Sequence, residues 1–282
     1  MGVVIVLGGG LAGLAYLVGS GDGPSFGQGI GVVELKGVIT ESESVLKTLV
    51  GFRRNKNVKV IILRIDSPGG GVAATQEIYR EIERTKKRKK VIASLGNIAA
   101  SGGLYIAASA NKILANPATV TGSIGVIMQM INVEGLLGKI GFRPIVIKSG
   151  RYKDIGSATR TMTEDERAIL QRTVDQLHQQ FVRDLAKGRA LDVEKVSKLA
   201  DGRIFTGEEA LSLGLVDELG NFEDAVKMAV KTAGLVGRVR LIYPKKKDIW
   251  WKGLLQGESP LNILPEWADQ PLRFQYLYLP GL

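Results

Sequence analysis

Val60-Ile61-Ile62-Leu63-Arg64-Ile65-Asp66-Ser67-Pro68-Gly69-Gly70-Gly71 is an apolar run that breaks into a proline and three glycines. A short apolar run closed by turn residues reads as a buried strand, and the helical pattern at Ala73–Lys86 follows it directly. The same grammar recurs in Val91–Leu95, which leads into Ala99-Ala100-Ser101-Gly102-Gly103 and a helical pattern at Ser101–Ala110. Outward from these, Gly31–Leu35 and Pro144–Ile147 also read as strands, and Ser42–Val50 and Val133–Ile140 as helices. Strands alternating with helices predict an α/β domain built on a parallel sheet.

A long helix is predicted from Thr163. Thr163 and Glu166 have capping-box spacing, and Leu170, Val174, Leu177, Phe181 and Leu185 keep one apolar stripe. His178 flanks that stripe and reads as a structural residue.

The inventory of side chains removes whole classes of chemistry. The 282 residues contain no cysteine and one histidine, so thiol nucleophiles, thiolate metal sites, disulfides and multi-histidine metal sites are excluded. A Ser-His-Asp triad would have to use His178, so the expected catalytic base is a lysine or a carboxylate. The net charge of +10 fits an anionic surface nearby, or plain solvated surface. Arg84–Lys90 (RTKKRKK) falls at a helix-to-strand turn without aromatic neighbours, which argues against a nucleic-acid partner.

The N-terminal stretch Val3–Gly13 (VVIVLGGGLAG) fits G-x-G-x-x-G. A dinucleotide site also needs a crossover helix and an acidic residue about 20 positions on. Gly19, Gly21, Gly23 and Pro24 break that helix, and the acid is missing. Residues 1–20 carry no charged side chain and match the roughly 20 apolar residues of a membrane span. The expectation is a single-pass anchor in membrane lipid at 1–20 and a flexible linker at 21–29. A folded domain follows over 30–243, then a tail over 244–282 that serves as an interface arm or, through Lys245–Lys252 with its tryptophans, lies near the membrane.

Both glycine turns follow strands, at the sheet edge where open parallel sheets bind ligands. Glycines there expose amides that can hold a developing negative charge, and Ser101 begins a helix beside them. A lysine serves as base only when neutral. At its ordinary pKa of about 10.4, roughly one molecule in a thousand is neutral near pH 7.4. Lys148 and Lys153 both follow the Pro144–Ile147 run, and residue chemistry alone leaves the choice between them open. Asp154 would work against Lys153 if their side chains faced each other.

DSPGG at 66–70, ASGG at 100–103, TGSIGV at 121–126, KSGRYKDIGS at 148–157, MTEDE at 162–166 and DGRIFTGEEALSLGLVDELG at 201–220 occur in order. Together they resemble the signal peptide peptidase A family of serine–lysine membrane proteases. The resemblance implies a Clp protease/crotonase-like fold of repeated ββα units in a single catalytic domain. It implies Ser101 as nucleophile, Lys153 as general base, and the Gly70 and Gly102 amides as oxyanion hole, with no metal or cofactor. Ser157 would orient the lysine amine; Ser123, in TGSIG, reads as a structural turn. Residual signal peptides and misfolded membrane segments are the implied substrates. A ring-like homo-oligomer and an active site on the extracytoplasmic side of the cell membrane are implied too. Departures at Leu104, often aromatic in the family, and Ala158, often proline, touch pocket shape alone. The rival readings are a crotonase-fold acyl-CoA enzyme, a serine–lysine protease of the stomatin-operon type, and a catalytically silent membrane scaffold.

Overall fold

A computed structural model describes residues 28–237, 239–244 and 275–277. The expected anchor, all but the end of the linker, and the Lys245–Lys252 cluster lie outside the described residues. Among the described residues no helix is long and apolar enough to cross a membrane.

The chain order is β1 (Gly29–Lys36), α1 (Glu43–Arg54), β2 (Val58–Ser67), β3 (Gly69–Gly71), α2 (Val72–Lys86), β4 (Lys90–Ala100), α3 (Gly102–Ala108), β5 (Lys112–Ala115), β6 (Val120–Gly122) and α4 (Glu134–Lys139). It continues through α5 (Glu164–Arg189), α6 (Val193–Leu199), β7 (Ile204–Phe205), α7 (Gly207–Leu213), β8 (Glu218–Leu219), α8 (Phe222–Ala233), β9 (Arg240–Ile242) and β10 (Gln275–Leu277). The units β2–β3–α2 and β5–β6–α4 each run strand, strand, helix. The main sheet has the order β7-β6-β4-β2-β1-β9, with β5 on β4 and β8 on β5. Every pairing in it is parallel except β6 with β7.

The continuous apolar run of β2 has a simple cause. Ile61, Leu63 and Ile65 enter the main core, with Leu49, Ile78, Ile82, Leu104 and Phe181. Val60 and Ile62 point to the opposite face and pack with Ile30, Ile92, Leu114, Ala225 and Ala229 beneath α8. A central parallel strand covered on both faces needs apolar residues at successive positions, not alternate ones.

The last part of β4 is redirected by a bulge. Ile65 pairs with Leu95, yet Ser67 pairs with Ala99, so extra residues of β4 loop out beside Asp66. The Asp66 carboxylate fills that loop by accepting from Ile98 N–H at 3.1 Å. Beyond it, Ile98–Ala100 pair with β6, and the strand ends at Ser101. Bulges of this kind re-aim a strand near a site.

Helix α5 starts as expected. Thr163 Oγ1 accepts from Glu166 N–H at 3.3 Å and Glu166 accepts from Thr163 N–H at 2.9 Å. Phe181 and Leu185 of its stripe are buried, whereas Leu170, Val174 and Leu177 are half-buried.

One expected strand does not form. Residues 144–147 make no sheet, and Ile145 and Ile147 are 89% and 97% exposed. A strand needs an edge to pair with, and among the described residues no strand edge pairs with the run. It belongs to an exposed arm that also carries Ile131, Leu136, Ile140 and Phe142.

Candidate active site

Ser101 stands between β4 and α3 with φ 51° and ψ −114°. A non-glycine residue at positive φ costs about 1–3 kcal/mol and persists only where its surroundings enforce it. Here Ser101 N–H donates to Gly122 O at 2.8 Å, and α3, wholly buried behind it, fixes the turn. Ser101 is 1% exposed, and its Oγ has no hydrogen-bond partner among the described residues.

The glycine turn at 69–71 is held against Ser101 by Ile39. Ile39 N–H donates to Gly69 O and Gly71 N–H donates to Ile39 O, both at 2.8 Å. Backbone groups alternate edges along a strand, so the amide and carbonyl of Gly70 point to the other edge. That edge carries β10, antiparallel to β3, with Tyr276 opposite Gly70.

The approach is too close for side chains. A Cβ on Gly69 would stand 2.7 Å from Gly102 N and 1.9 Å from the carbonyl oxygen of Tyr276. Gly69 itself has φ 106°, a conformation glycine tolerates. A Cβ on Gly102 would lie 3.0 Å from Thr75 Oγ1 and 3.2 Å from Gly69 Cα. As the first residue of α3, Gly102 has an N–H with no acceptor inside its helix. Gly69, Ser101 and Gly102 therefore border one gap, with Gly70 in the strand that flanks it. Chemically, a gap edged by the Gly102 amide, which has no acceptor inside its helix, beside a strained, unpaired hydroxyl suits nucleophilic attack on a carbonyl.

The lysine is elsewhere in this chain. Lys153 is exposed in a turn, where its N–H donates to Gly150 O at 3.1 Å, and no hydrogen bond joins its amine to Ser101. The Asp154 carboxylate does not engage it either. Asp154 accepts from Arg160 Nε and Nη2, both at 2.9 Å, and from Lys148 Nζ. Arg160 also donates to Glu166, tying the 148–160 segment to the start of α5. Hydrogen bonds from Arg160 and Lys148 hold the Asp154 carboxyl well below the usual carboxylate range. Lys148 is thus a salt-bridge residue, while Lys153 has no carboxylate partner among the described residues.

Ser157 bonds to Thr159, with Oγ 3.1 Å from Thr159 Oγ1, and makes no hydrogen bond to the Lys153 amine. It borders a cavity of about 490 Å³ lined also by Met128, Asn132, Arg160, Met162 and Leu170, away from Ser101. Ser123 has φ 50° and donates its N–H to Arg203 O at 2.7 Å, where it closes the turn after β6. His178 is half-buried on α5, and its Nε2 has no partner among the described residues.

The pattern of Peptidase family S49 matches residues 83–236, and that of Clp protease matches residues 32–131. The chain belongs to peptidase family S49. This S49 chain is 50% identical over 205 residues to a putative protease of Synechocystis sp., covering 72% of this chain and 74% of that one. It is 39% identical over 202 residues to a putative signal peptide peptidase SppA of Enterococcus faecium, covering 71% and 59%. It is 36% identical over 195 residues to the chloroplastic serine protease SPPA of Arabidopsis thaliana, covering 69% and 29%. The S49 chain thus spans less than two thirds of the latter two proteins. These relatives bear out the resemblance to the signal peptide peptidase A family.

Three features of this candidate site escaped the sequence. Ile39 as the clamp on Gly70, Thr75 beside Gly102 and Tyr276 in the gap all come from distant parts of the chain. Only Thr75, one turn into the helix after the glycines, carried a usable positional signal.

Proposed function

We propose that this chain is a membrane-anchored serine endopeptidase whose Ser101 attacks peptide carbonyls with Lys153 of a neighbouring protomer as general base. The observation that carries this reading is Ser101 itself: strained, buried, without a partner, and beside the Gly69–Gly102 gap. An unpaired buried hydroxyl costs about 1–3 kcal/mol, which an arriving amine would recover.

The exposed arm supports a neighbour as the source of that amine. Residues 127–147 present Ile131, Leu136, Ile140, Phe142, Ile145 and Ile147 to solvent, an apolar surface that a monomer rarely leaves uncovered. Lys153 follows this arm, also exposed. In a ring-like homo-oligomer each arm would cross onto the next copy and carry its lysine to the neighbouring serine. Asp154, engaged by Arg160 and Lys148, leaves the Lys153 amine without a carboxylate partner among the described residues.

Ser101 Oγ then bonds to the substrate carbonyl carbon as its proton passes to Lys153 Nζ. Gly70 and Gly102 N–H groups hold the oxyanion. The C–N bond breaks, the leaving amine takes the proton from Lys153, and water, deprotonated by the same lysine, releases the acyl group. Substrates are residual signal peptides and other membrane-derived segments, met on the extracytoplasmic side by an enzyme tethered through residues 1–20.

The test uses Ser101→Ala and Lys153→Ala. Each alone should lose hydrolysis of a fluorogenic peptide. Mixed and reassembled one to one, they should regain about a quarter of wild-type sites, because some interfaces pair an intact serine with an intact lysine. Activity in either variant alone rejects the assignment, and failure to complement rejects the shared site.

A further inference from the structure

A parallel sheet gathers the starts of its strands along one edge, and here that edge lies at the far end from Ser101. Gly29, the first residue of β1, pairs with Val58, the first of β2, and β4 starts beside them at Lys90. Arg54 ends α1, Lys56 follows it, and Lys59 opens β2. Lys87 and Arg88 stand in the turn after α2, just before Lys90. All six are exposed, and among the described residues none of them forms an ion pair.

The two basic segments form one patch. Lys89 Nζ donates to the carbonyls of Phe52 and Asn55, which ties the second segment onto the first. Burial, and after it the neighbouring Lys59 cation, lower the Lys89 pKa from its ordinary value. Residues 54–59 and 87–90 contain no aspartate or glutamate. The dipoles of α1 and α2 favour a cation at each helix end, which accounts for Arg54 and Lys87 but not for Lys56, Lys59 and Lys90. Uncompensated cations crowded this way repel one another, and they fit an anionic partner.

Two observations choose that partner. Gly29 N–H donates to Asn57 O at 2.8 Å, so residues 1–28 lead directly into the patch. Residues 1–20 carry no charge and have the length of a membrane span, and the eight residues from 21 to 28 reach at most about 28 Å. The patch is therefore within reach of headgroups. Neither basic segment carries an aromatic side chain on which a nucleic-acid base could stack.

We propose that the edge bearing Arg54, Lys56, Lys59, Lys87, Arg88 and Lys90 docks on anionic lipid headgroups and turns the Ser101 end away from the bilayer. The ten residues of β2 separate the two ends by about 30 Å. The site then receives segments that have already left the membrane. This goes beyond the protease reading and does not need Ser101 to be a nucleophile.

Amine labelling of the wild-type full chain tests it. The chain is held in nanodiscs of phosphatidylcholine, alone or with about a third phosphatidylglycerol, and treated with a water-soluble acylating reagent. Lys56, Lys59, Lys87 and Lys90 should react about fivefold more slowly in the anionic discs, and salt at about 0.5 M should restore their rates. Lys195 and Lys198, exposed on α6, should react alike in both. Equal rates at the four lysines overturn the proposal. Rates already low in phosphatidylcholine alone overturn it too, because protein then covers the edge. Slowing by duplex RNA, with none by anionic lipid, assigns the patch to nucleic acid instead.

A variant separates charge from mere proximity. Lys56→Gln combined with Arg88→Gln should return Lys59 and Lys90 in anionic discs towards their rates in neutral discs, with the melting temperature unchanged. Shielding that persists in this variant overturns the proposal.

Discussion

Ile39 crosses Gly70 so closely that a Cβ on Gly70 would stand 2.1 Å from the Ile39 carbonyl oxygen. The crossing holds the glycine strand in place with hydrogen bonds on either side of Gly70. Gly70→Ala must push the two segments apart. The expected cost is about 2 kcal/mol, read as a melting temperature roughly 5 °C lower. Peptide hydrolysis should fall about a hundredfold in the same variant because the Gly70 amide moves.

Ser101→Gly and Ser101→Ala should both abolish hydrolysis but differ in stability. The glycine variant relieves the positive φ that alanine keeps. Glycine should therefore melt at the higher temperature, by about 1 kcal/mol of stability, because the strain it relieves outweighs the entropy gained by the unfolded chain. Thermal melts of the two inactive proteins, side by side, check this.

Lys148 and Lys153 should separate in activity. Lys153→Ala should lower kcat by about a thousandfold or more. Lys148→Ala should stay within about tenfold of wild type, because Arg160 still holds Asp154 after Lys148 is gone. Steady-state kinetics on one fluorogenic peptide would show the contrast.

Acid should loosen the start of α5 through Glu166. Its carboxyl is lowered from the ordinary 4.5 to about 2, first by hydrogen bonds from Arg160 and then by the Thr163 amide. A depressed carboxylate adds stability above its unfolded value, and that stability drains away as pH falls from about 4.5 towards 2. Glu166→Gln keeps an acceptor for Thr163 N–H but cannot titrate. Its stability should change less across that window, as followed by denaturant titrations at several pH values.

Tyr105→Phe should remove the hydroxyl that donates to Asp184 and leave that carboxylate short of a donor. A cost of about 1–2 kcal/mol is expected, from chemical denaturation.

How much could be read without a structure depended on range. The β2 run and its glycines, the turn before Ser101 and the Thr163–Glu166 cap each show in neighbouring residues, and each forms close to where the pattern places it. The Pro144–Ile147 run misled, because strand propensity says nothing about whether a partner edge exists. Lys148 and Lys153 could not be told apart along the chain. Which of them meets Asp154 is set by how the 148–160 turn folds back onto Arg160 and Glu166.

The order of amino acids alone narrowed the kind of chemistry open to this protein: no cysteine and a single histidine remove thiol and multi-histidine metal chemistry, and glycine turns behind two strands mark where exposed amides gather. Tertiary structure decided where those parts stand. The positive φ of Ser101, the seat of Gly70 under Ile39, the burial of Tyr276 and the exposure of Lys153 all depend on contacts between segments far apart in the chain. Local backbone preference is written in adjacent residues, whereas such contacts exist only after the sheet, its β4 bulge and the helices over it have packed.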